Sequence, residues 1–410
     1  MKHQLVGMAA LVVVGSASAQ SVIGRWEFND DLNAVVGGNA TVWELGLLGN
    51  VQKAPVFMDD TINGEAAKVA VIQADPTDGA NTVFRVTHTG TPNGNGTVKL
   101  NSYTLVMDVY FDSLPGFISL LQTDANPTAN DGDWFVRSDG GMGISGNYTD
   151  ANNSLRMDGG VWRRIILTND TRTLVSGNQM YFSYVDGALQ NQVQSPSSWG
   201  VDGRFGLPVG ANPFWLFADE DGEVGPGRIN SAVLIDGALT PGQVAELGAA
   251  QAAGIPGIAF AGTATLSDSA AKDTTVKVGI YTPGSTTALV EDTLELPSSG
   301  KFSFYSRRAG AYDVVVKPRG FLAKRFAAVT FPATTLDAAY IAGDIDNDNM
   351  ISVFDYDKLS SYFDKGSADA DWMTLDTDGV SPSNADIDGD GSVSVFDYDI
   401  LSRNFDIAGE

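Results

Sequence analysis

Apolar and polar residues alternate along much of the chain, which is the pattern of β-strands with one buried face. The clearest example is residues 102–111, where every second residue from Tyr103 onward is apolar. Similar runs predict eight further strands, at residues 23–28, 68–72, 117–122, 134–137, 162–168, 180–185, 214–218 and 231–235. Asp186-Gly187 and Asp236-Gly237 are turn pairs, so we expect antiparallel strands around them. So many strands between residues 20 and 254 predict a two-sheet sandwich.

A second β-pattern occupies residues 255–342. Residues 249–257 are mostly small or helix-breaking, which predicts a linker between two domains. Beyond it, Val276, Val278 and Ile280 alternate with polar neighbours. The span is long enough for a small seven-stranded sandwich, which would act as a spacer.

Residues 343–410, called the tail below, contain the same acidic loop twice. Loop 1 is residues 344–355 and loop 2 is residues 386–397, 42 residues further on. Apolar residues recur at helical spacing after each loop, so we expect one helix after each. The side chains expected to form a small core in the tail are Phe354, Leu359, Phe363, Trp372, Phe396, Leu401 and Phe405.

The oxygen donors of both loops are spaced as calcium requires. Asp occupies positions 1, 3, 5 and 12, position 7 offers a backbone carbonyl, and position 9 a hydroxyl that reaches the ion through water. Position 6 needs a residue that tolerates positive φ, and it is Asn349 or Gly391. The predicted ligands of two calcium ions are Asp344, Asp346, Asp348, Met350, Ser352 and Asp355 in loop 1, and Asp386, Asp388, Asp390, Ser392, Ser394 and Asp397 in loop 2.

Carboxylates this close repel one another, so we expect ion binding and folding to be coupled. The alternative is a solvated acidic turn without an ion, which the in-register duplication disfavours. The tail resembles a type I dockerin, and this resemblance implies a cohesin-like partner. Dockerins of this type commonly carry Ser-Thr at loop positions 10 and 11, where this chain has Val353-Phe354 and Val395-Phe396. These Val-Phe pairs are candidate partner-binding residues, or they serve internal packing.

The first two domains also resemble known families. The order WRRIILT (162–168), YFSYVDG (181–187), LFAD (216–219) and LTPGQVAELG (239–248) resembles a laminin G-like, concanavalin A-like jelly roll. In it Thr240 would cap a short helix that starts at Pro241. The segments GKFSF (300–304), GAYDVVVK (310–317) and GFL (320–322) resemble a carboxypeptidase regulatory-like, or CnaB-like, β-sandwich.

The expected fold is therefore mainly β and multidomain. A concanavalin A-like jelly-roll sandwich at residues 20–254 precedes a small Ig-like β-sandwich at 255–342. A small α-helical dockerin-like domain with paired EF-hand-like calcium loops at 343–410 ends the chain.

The N-terminus predicts export. Lys2, the apolar run 5–14 and the small residues up to Ala19 form the pattern of a signal peptide at residues 1–19. No other run approaches the roughly 20 apolar residues of a membrane span. The chain has no cysteine, so disulfides cannot stabilise it outside the cell. A formal charge of -25 argues against nucleic acid as a partner. We expect a secreted, extracellular protein, either free or associated with the cell surface.

Residues for catalysis are scarce. His88 is the one histidine after residue 19, so a Cys-His pair and a zinc site with several histidines are excluded. Carboxylate pairs for glycoside hydrolysis remain. However, the Glu-x-Asp-x-x-Glu run that the jelly-roll resemblance implies for a glucan hydrolase does not occur. We therefore expect no enzyme, and if there is one, a glycoside hydrolase that cleaves O-glycosyl compounds.

Two further sets of residues in the first domain are candidate binding sites. The acidic run 219–223 is interpreted first as a solvated turn, second as a further calcium site of Asp219, Asp221 and Glu223, and third as a catalytic pair. Aromatic rings stack on sugars, so the glycan-binding candidates are Trp134, Tyr148, Trp199 and Trp215. The alternative for each of them is a place in the core.

Taken together, these features favour a secreted, non-catalytic protein that acts in polysaccharide degradation. Its jelly roll would bind a polysaccharide or surface glycan, and its tail would dock in a calcium-dependent manner. One alternative is a dockerin-bearing glycoside hydrolase, and the other is a structural cell-surface protein.

Overall fold

The computed structural model describes residues 20–36, 43–45, 55–74, 82–94, 96–124, 132–144, 147–149, 156–175, 178–196, 200–217, 219, 223–270, 273–333 and 335–410. The predicted signal peptide, Trp199 and Asp221 lie outside these residues. The described chain is mainly β-sandwich, with a small helical segment at its C-terminus. None of the helices in this described part has the length and apolar character needed to cross a membrane.

The described residues before residue 240 contain strands that form two sheets. The strands are β1 (Ser21–Glu27), β2 (Ala34–Val36), β3 (Trp43–Leu45), β4 (Val56–Ile62), β5 (Glu65–Ile72), β6 (Phe84–Val86), β7 (Ser102–Phe111), β8 (Ile118–Gln122), β9 (Asp133–Val136), β10 (Met142–Ile144), β11 (Asn147–Tyr148), β12 (Arg163–Val175), β13 (Asn178–Val185), β14 (Ala188–Pro196), β15 (Phe214–Leu216) and β16 (Gly227–Asp236). The large sheet has the order β14-β13-β12-β7-β16-β1-β2, with β5 on β16 and β4 on β5. The small sheet has the order β11-β10-β9-β8-β15-β6-β3. Each of the nine predicted strands overlaps one of these elements, which confirms the sandwich.

Strand β7 lies in the middle of the large sheet and is buried on both faces. Its alternate residues, Leu105 and Met107 among them, belong to the core between the two sheets. On the opposite face Val106 packs with Val244 and Leu247 of α1 (Pro241–Leu247). Since a strand in this position has no solvent face, even its polar residue Asp108 is fully buried.

The predicted helix cap is confirmed. The Thr240 hydroxyl accepts a hydrogen bond from the Gln243 backbone N–H at 3.2 Å, and the Gln243 side chain accepts one from the Thr240 N–H. The turn Asp186-Gly187 joins β13 to β14 with positive φ at both residues, as predicted. At the second turn pair, Asp236-Gly237, strand β16 ends and is antiparallel to both of its neighbours β1 and β7, and the chain then enters α1.

The predicted linker, residues 249–257, is packed against the first domain. Ala250 and Ile255 are buried, and the Arg164 guanidinium donates to the carbonyl oxygen of Gly254 at 3.1 Å. Ser303 of the next domain also donates to the Gln20 carbonyl oxygen at 2.6 Å. The first two domains are therefore joined by direct contacts.

The second domain, called the middle sandwich below, has seven strands among its described residues. They are β17 (Ile258–Leu266), β18 (Thr274–Tyr281), β19 (Ala288–Leu296), β20 (Lys301–Tyr305), β21 (Gly310–Pro318), β22 (Lys324–Phe331) and β23 (Ala338–Tyr340). One sheet has the order β20-β17-β23 and the other β19-β18-β21-β22. The pairing of β17 with β23 is parallel, while the others are antiparallel.

The tail contains α2 (Val353–Ser361), α3 (Pro382–Ala385) and α4 (Val395–Arg403). A helix follows each acidic loop, as the apolar spacing predicted. The tail shares one continuous hydrophobic cluster with the middle sandwich, in which Phe321 and Ala342 join Ile351 and Leu359. The middle sandwich is therefore more than a spacer, because part of the tail core is built on it.

The predicted core of the tail was partly wrong. Leu359 and Leu401 are buried, and Trp372 packs at the edge of the cluster. Four aromatic residues expected in the core are exposed, namely Phe354, Phe363, Phe396 and Phe405. Their places are taken by side chains from positions 2 and 8 of the loops, namely Ile345, Ile351, Ile387 and Val393. A nine-residue helix buries only one narrow stripe, and the loops supply the rest.

Candidate metal centres and binding faces

Each acidic loop gathers three carboxylates at one point. Oxygen atoms of Asp344, Asp346 and Asp348 all lie within 4.8 Å of one another, and the same holds for Asp386, Asp388 and Asp390. Oxygen-rich clusters of this kind are what a hard cation such as calcium prefers. The donor set therefore fits the predicted ion at loop positions 1, 3 and 5.

Hydrogen bonds from backbone N–H groups to the aspartate carboxylates hold loop 1 in this shape. The Asp346 carboxylate accepts from the Asp348 N–H at 3.1 Å, and the Asp348 carboxylate accepts from the Met350 N–H at 2.8 Å. The Asp344 carboxylate accepts from the N–H of Asn349 at position 6, at 3.1 Å. Asn349 has a φ of 76°, as the loop template requires.

Loop 2 repeats each of these contacts. The Asp388 carboxylate accepts from Asp390 N–H at 3.0 Å, and the Asp390 carboxylate accepts from Ser392 N–H at 2.8 Å. The Asp386 carboxylate accepts from Gly391 N–H at 3.2 Å. Gly391 has a φ of 92°. The sequence duplication is therefore also a duplication of backbone geometry.

The aspartates at position 12 have a different environment. The Asp355 carboxylate accepts backbone hydrogen bonds from Ile345 at 2.6 Å, Asp346 at 3.2 Å and Ser352 at 2.7 Å. Asp397 makes the equivalent three contacts in loop 2. Position 12 thus ties the start of each loop to the helix that follows.

The residues at position 9 cap the helices. Ser352 accepts from the Phe354 N–H at 3.1 Å, and Ser394 accepts from the Phe396 N–H at 3.2 Å. This capping box fixes the last turn of each loop to its helix. A role in water-mediated ion binding for these two serines stays a prediction.

Burial makes the negative charge of the loops costly. It raises the pKa of Asp355 to about 6, and it also raises the pKa values of Asp344 and Asp397. Desolvation disfavours the charged form of a carboxylate, whereas a nearby cation favours the charged form. The loops therefore gain stability from any cation placed among their oxygens.

The Val-Phe pairs lie on the surface of the tail. Exposed fractions are 52% for Val353, 63% for Phe354, 59% for Val395 and 65% for Phe396. The interpretation that these pairs serve internal packing is therefore wrong. Tyr356 and Tyr398 meet nearby, with ring centroids 6.0 Å apart. Matching exposure in the two copies gives the tail two equivalent apolar patches. The four residues Val353, Phe354, Val395 and Phe396 are together called the docking face.

The glycan-binding candidates in the jelly roll occupy different environments. Trp134 lies in the core, where it packs against Tyr181 and Phe205. Trp215 is 5% exposed and packs with Val83. Neither indole offers an open face to a sugar. Trp199 lies outside the described residues.

Tyr148 belongs to an aromatic cluster on the outer face of the small sheet. Phe117 lies 5.9 Å from its ring and 5.8 Å from the ring of Phe135, and the Arg137 guanidinium lies 4.7 Å from the Tyr148 ring. Phe135 alternates with the core residue Trp134 along β9, so it faces away from the core. Phe117 and Phe135 were not among the predicted residues, although this alternation would have placed Phe135 on the outer face.

The remaining candidates of the jelly roll have structural contacts. Asp219 is buried and accepts from the Glu223 N–H at 2.8 Å, while Asp221 lies outside the described residues. His88 is also buried, and its Nδ1 accepts from the Gly90 N–H at 3.1 Å. Its Nε2 therefore carries the proton and donates to the Pro208 carbonyl oxygen at 2.9 Å. Burial lowers the pKa of His88 to about 4, so the imidazole is neutral at pH 7.

Comparison with known proteins gives low similarity. No protein-family model matches the chain, and no curated protein matches it either. A chain of a type II cohesin-X-dockerin complex from Acetivibrio cellulolyticus is 21% identical, with 37% of this chain and 98% of that chain covered and a TM-score of 0.28. Domain 4 of AbnA, a GH43 extracellular arabinanase from Geobacillus stearothermophilus, in complex with arabinotriose, is 18% identical. The match covers 56% of this chain and 100% of that chain, with a TM-score of 0.39.

The binding domain of Paraclostridial Mosquitocidal Protein 1 is 11% identical, with 73% of this chain and 77% of that chain covered and a TM-score of 0.38. Identities and TM-scores at this level assign no function to this chain. The carboxylate clusters, the docking face and the aromatic cluster are therefore the features from which a function can be inferred.

Proposed function

We propose that this chain is a secreted, non-catalytic carbohydrate-binding or adhesion protein whose tail binds two calcium ions and docks to a cohesin-like partner. The observation that carries the proposal is the double carboxylate cluster beside the docking face. Each cluster offers a calcium ion three carboxylates within 4.8 Å of one another. Export is supported by the signal-peptide pattern of residues 1–19.

Calcium would be held in each loop by the aspartates at positions 1, 3 and 5. The carbonyl oxygens of Met350 and Ser392, the hydroxyls of Ser352 and Ser394, and the carboxylates of Asp355 and Asp397 complete the proposed ligand sets. The ion neutralises carboxylates that burial makes costly, so it stabilises the loops. Since each loop leads directly into a Val-Phe pair, ion binding orders the docking face.

Titration of a panel of isolated cohesin domains onto the immobilised full chain, with calcium and with chelator, tests the docking. The proposal predicts calcium-dependent binding that a Phe354→Ser/Phe396→Ser double variant loses while it still binds calcium. Binding that chelator leaves unchanged, or no binding across the panel, contradicts it.

The carbohydrate part of the proposal is supported by the cluster of Phe117, Phe135, Tyr148 and Arg137. Exposed aromatic rings stack on the CH faces of sugars, and a guanidinium hydrogen-bonds to hydroxyl or carboxylate groups. The target is a polysaccharide or surface glycan. The proposal also includes a third calcium ion at Asp219, Asp221 and Glu223, supported by the burial of the Asp219 carboxylate.

A glycan array probed with the full chain, with calcium and with chelator, tests both points. Binding to one class of polysaccharide on the array is expected. If the third calcium ion shapes the sugar-binding site, this binding should be weaker in chelator. Release of reducing sugar from the retained polysaccharide would instead favour a glycoside hydrolase.

A further inference from the structure

One lysine of the middle sandwich reaches into loop 1. Lys317 lies near the end of β21, and its ammonium donates to the Asp344 carboxylate, to Asn347 Oδ1 at 2.7 Å and to the Phe321 carbonyl oxygen at 3.0 Å. An ammonium has three N–H donors, so each of them has an acceptor. The side chain of Lys317 is only 11% exposed, and that of Asp344 is fully buried.

The backbone around this contact keeps Lys317 in place. The Asp344 N–H donates to the Gly320 carbonyl oxygen at 3.2 Å, and the Asn349 side-chain oxygen accepts from the Ala323 N–H at 2.7 Å. The segment that follows β21 is thus bonded to both ends of the ion-binding half of loop 1. The main chain that follows Lys317 is therefore held beside Asp344.

Asp344 belongs to the group of three carboxylates proposed to hold calcium. A cation among those oxygens would share the Asp344 carboxylate with the ammonium. Two positive charges that share one buried carboxylate repel each other, and each reduces the stabilisation that the other gains from it. By linkage, the free energy by which Lys317 weakens calcium binding equals the free energy by which bound calcium weakens the Lys317 contact.

We propose that Lys317 is an internal cation of loop 1, which stabilises the loop without metal and lowers its affinity for calcium. This inference rests on the proposed calcium binding of the tail. It makes the middle sandwich a determinant of the calcium concentration at which loop 1 fills. Calcium in loop 1 in turn weakens one contact between the tail and the middle sandwich.

The test uses the full chain with Asp390→Ala, which removes a ligand of loop 2 and leaves loop 1 as the tail site to be measured. A third ion at residues 219–223 would contribute equally to every variant compared. Calcium affinity is determined by isothermal titration calorimetry for this chain and for the same chain with Lys317→Met. The methionine keeps most of the apolar stem and removes the charge. A fall in Kd of about fivefold or more is expected, which is within the usual range of coupling between two sites.

Two control variants separate charge from packing. Lys317→Arg retains the charge and should leave the Kd close to that of the parent. Lys277 is the register partner of Lys317 on β18 and pairs with Glu291 at the surface, so Lys277→Met removes a neighbouring lysine whose ion pair is not with loop 1. This variant should also leave the Kd unchanged.

Stability gives a second measurement. In chelator, Lys317→Met should lower the melting temperature of the full chain more than Lys277→Met does. Calcium should raise the melting temperature of Lys317→Met again. Should Lys317→Met fail to fold in chelator, Lys317→Gln is measured in its place. An unchanged or raised Kd in a folded neutral variant overturns the role of Lys317. Absence of calcium binding in every chain, the unmodified one included, would instead refute the proposed calcium sites themselves.

Discussion

Arg164 and Asp108 form a fully buried ion pair on neighbouring strands of the large sheet. Arg164 Nε and one terminal nitrogen each donate to a different Asp108 oxygen at 2.7 Å, and both side chains have no exposed area. The remaining guanidinium donors bind the carbonyl oxygens of Leu247 at 2.6 Å and Gly254 at 3.1 Å. The pair therefore anchors both the end of α1 and the segment that leads into the middle sandwich.

Loss of this arginine should destabilise the jelly roll strongly. Arg164→Met leaves a buried carboxylate without its partner, and we expect a loss of about 3–5 kcal/mol in the free energy of unfolding. Arg163→Met is the matched control, because Arg163 pairs with Asp158 and Asp186 at a partly exposed site. Its cost should be about 1 kcal/mol or less. Urea unfolding of the full chain measures both, and equal losses would contradict the anchoring role.

His88 should make the stability of the jelly roll depend on pH. In an unfolded chain the imidazole pKa is about 6.5, whereas burial lowers the folded pKa to about 4. As pH falls, the unfolded state therefore takes up the proton before the folded state does. The stabilisation that neutral His88 contributes is complete above about pH 6.5 and is lost as pH falls toward about 4. At about 1.4 kcal/mol per pKa unit, this contribution to the free energy of unfolding is about 3 kcal/mol.

His88→Gln removes this titration and can still donate to the Pro208 carbonyl oxygen. The difference in unfolding free energy between the original chain and the variant should shrink as pH falls from 7 to 4.5. Chemical unfolding at a series of pH values measures it, and parallel curves would show that His88 does not titrate as described.

The docking face should contribute little to stability. Phe354→Ser and Phe396→Ser alter side chains that are more than half exposed, so each should change the unfolding free energy by about 0.5 kcal/mol or less. Leu359→Ala and Leu401→Ala open cavities in the core and should cost about 2–5 kcal/mol each. Thermal unfolding in calcium compares the four variants. A phenylalanine variant as unstable as its leucine counterpart would mean that the Val-Phe pairs are packed and unavailable to a partner.

Tyr148 should be required for carbohydrate binding. Tyr148→Ala removes the ring beside Phe117 and Arg137, and retention on the polysaccharide selected by the array should fall about tenfold, the effect of losing about 1.4 kcal/mol. Tyr281→Ala is the control. The Tyr281 ring also lies beside a guanidinium, 4.9 Å from that of Arg325, but it belongs to the middle sandwich and not to the jelly roll. Affinity electrophoresis compares the two variants. Equal retention of both would place the sugar site elsewhere.

Local patterns predicted much of the fold. Residues 102–111 coincide with β7, and the loop template placed the three carboxylates and the positive φ of Asn349 and Gly391 correctly. These features depend on neighbours in sequence, namely alternation along a strand and turn geometry within twelve residues. They can be derived without knowledge of the tertiary structure.

Contacts between distant parts of the chain were not predictable in this way. Helical spacing placed Phe354 and Phe396 in the core, although the loops supply Ile351 and Val393 instead. Lys317 follows a run of valines in sequence, and nothing in that run indicates that its ammonium meets Asp344. Such contacts are set by how the tail packs on the middle sandwich.

Calcium titration of the full chain tests the central claim most directly. The full chain is required because the tail shares its core with the middle sandwich. Calorimetry should show two ions bound at loops 1 and 2, and the Asp348→Ala/Asp390→Ala double variant should bind two ions fewer than the original chain, whether or not a third ion binds at residues 219–223. A double variant that binds as many calcium ions as the original chain, or no calcium-dependent heat in the original chain, would contradict the account.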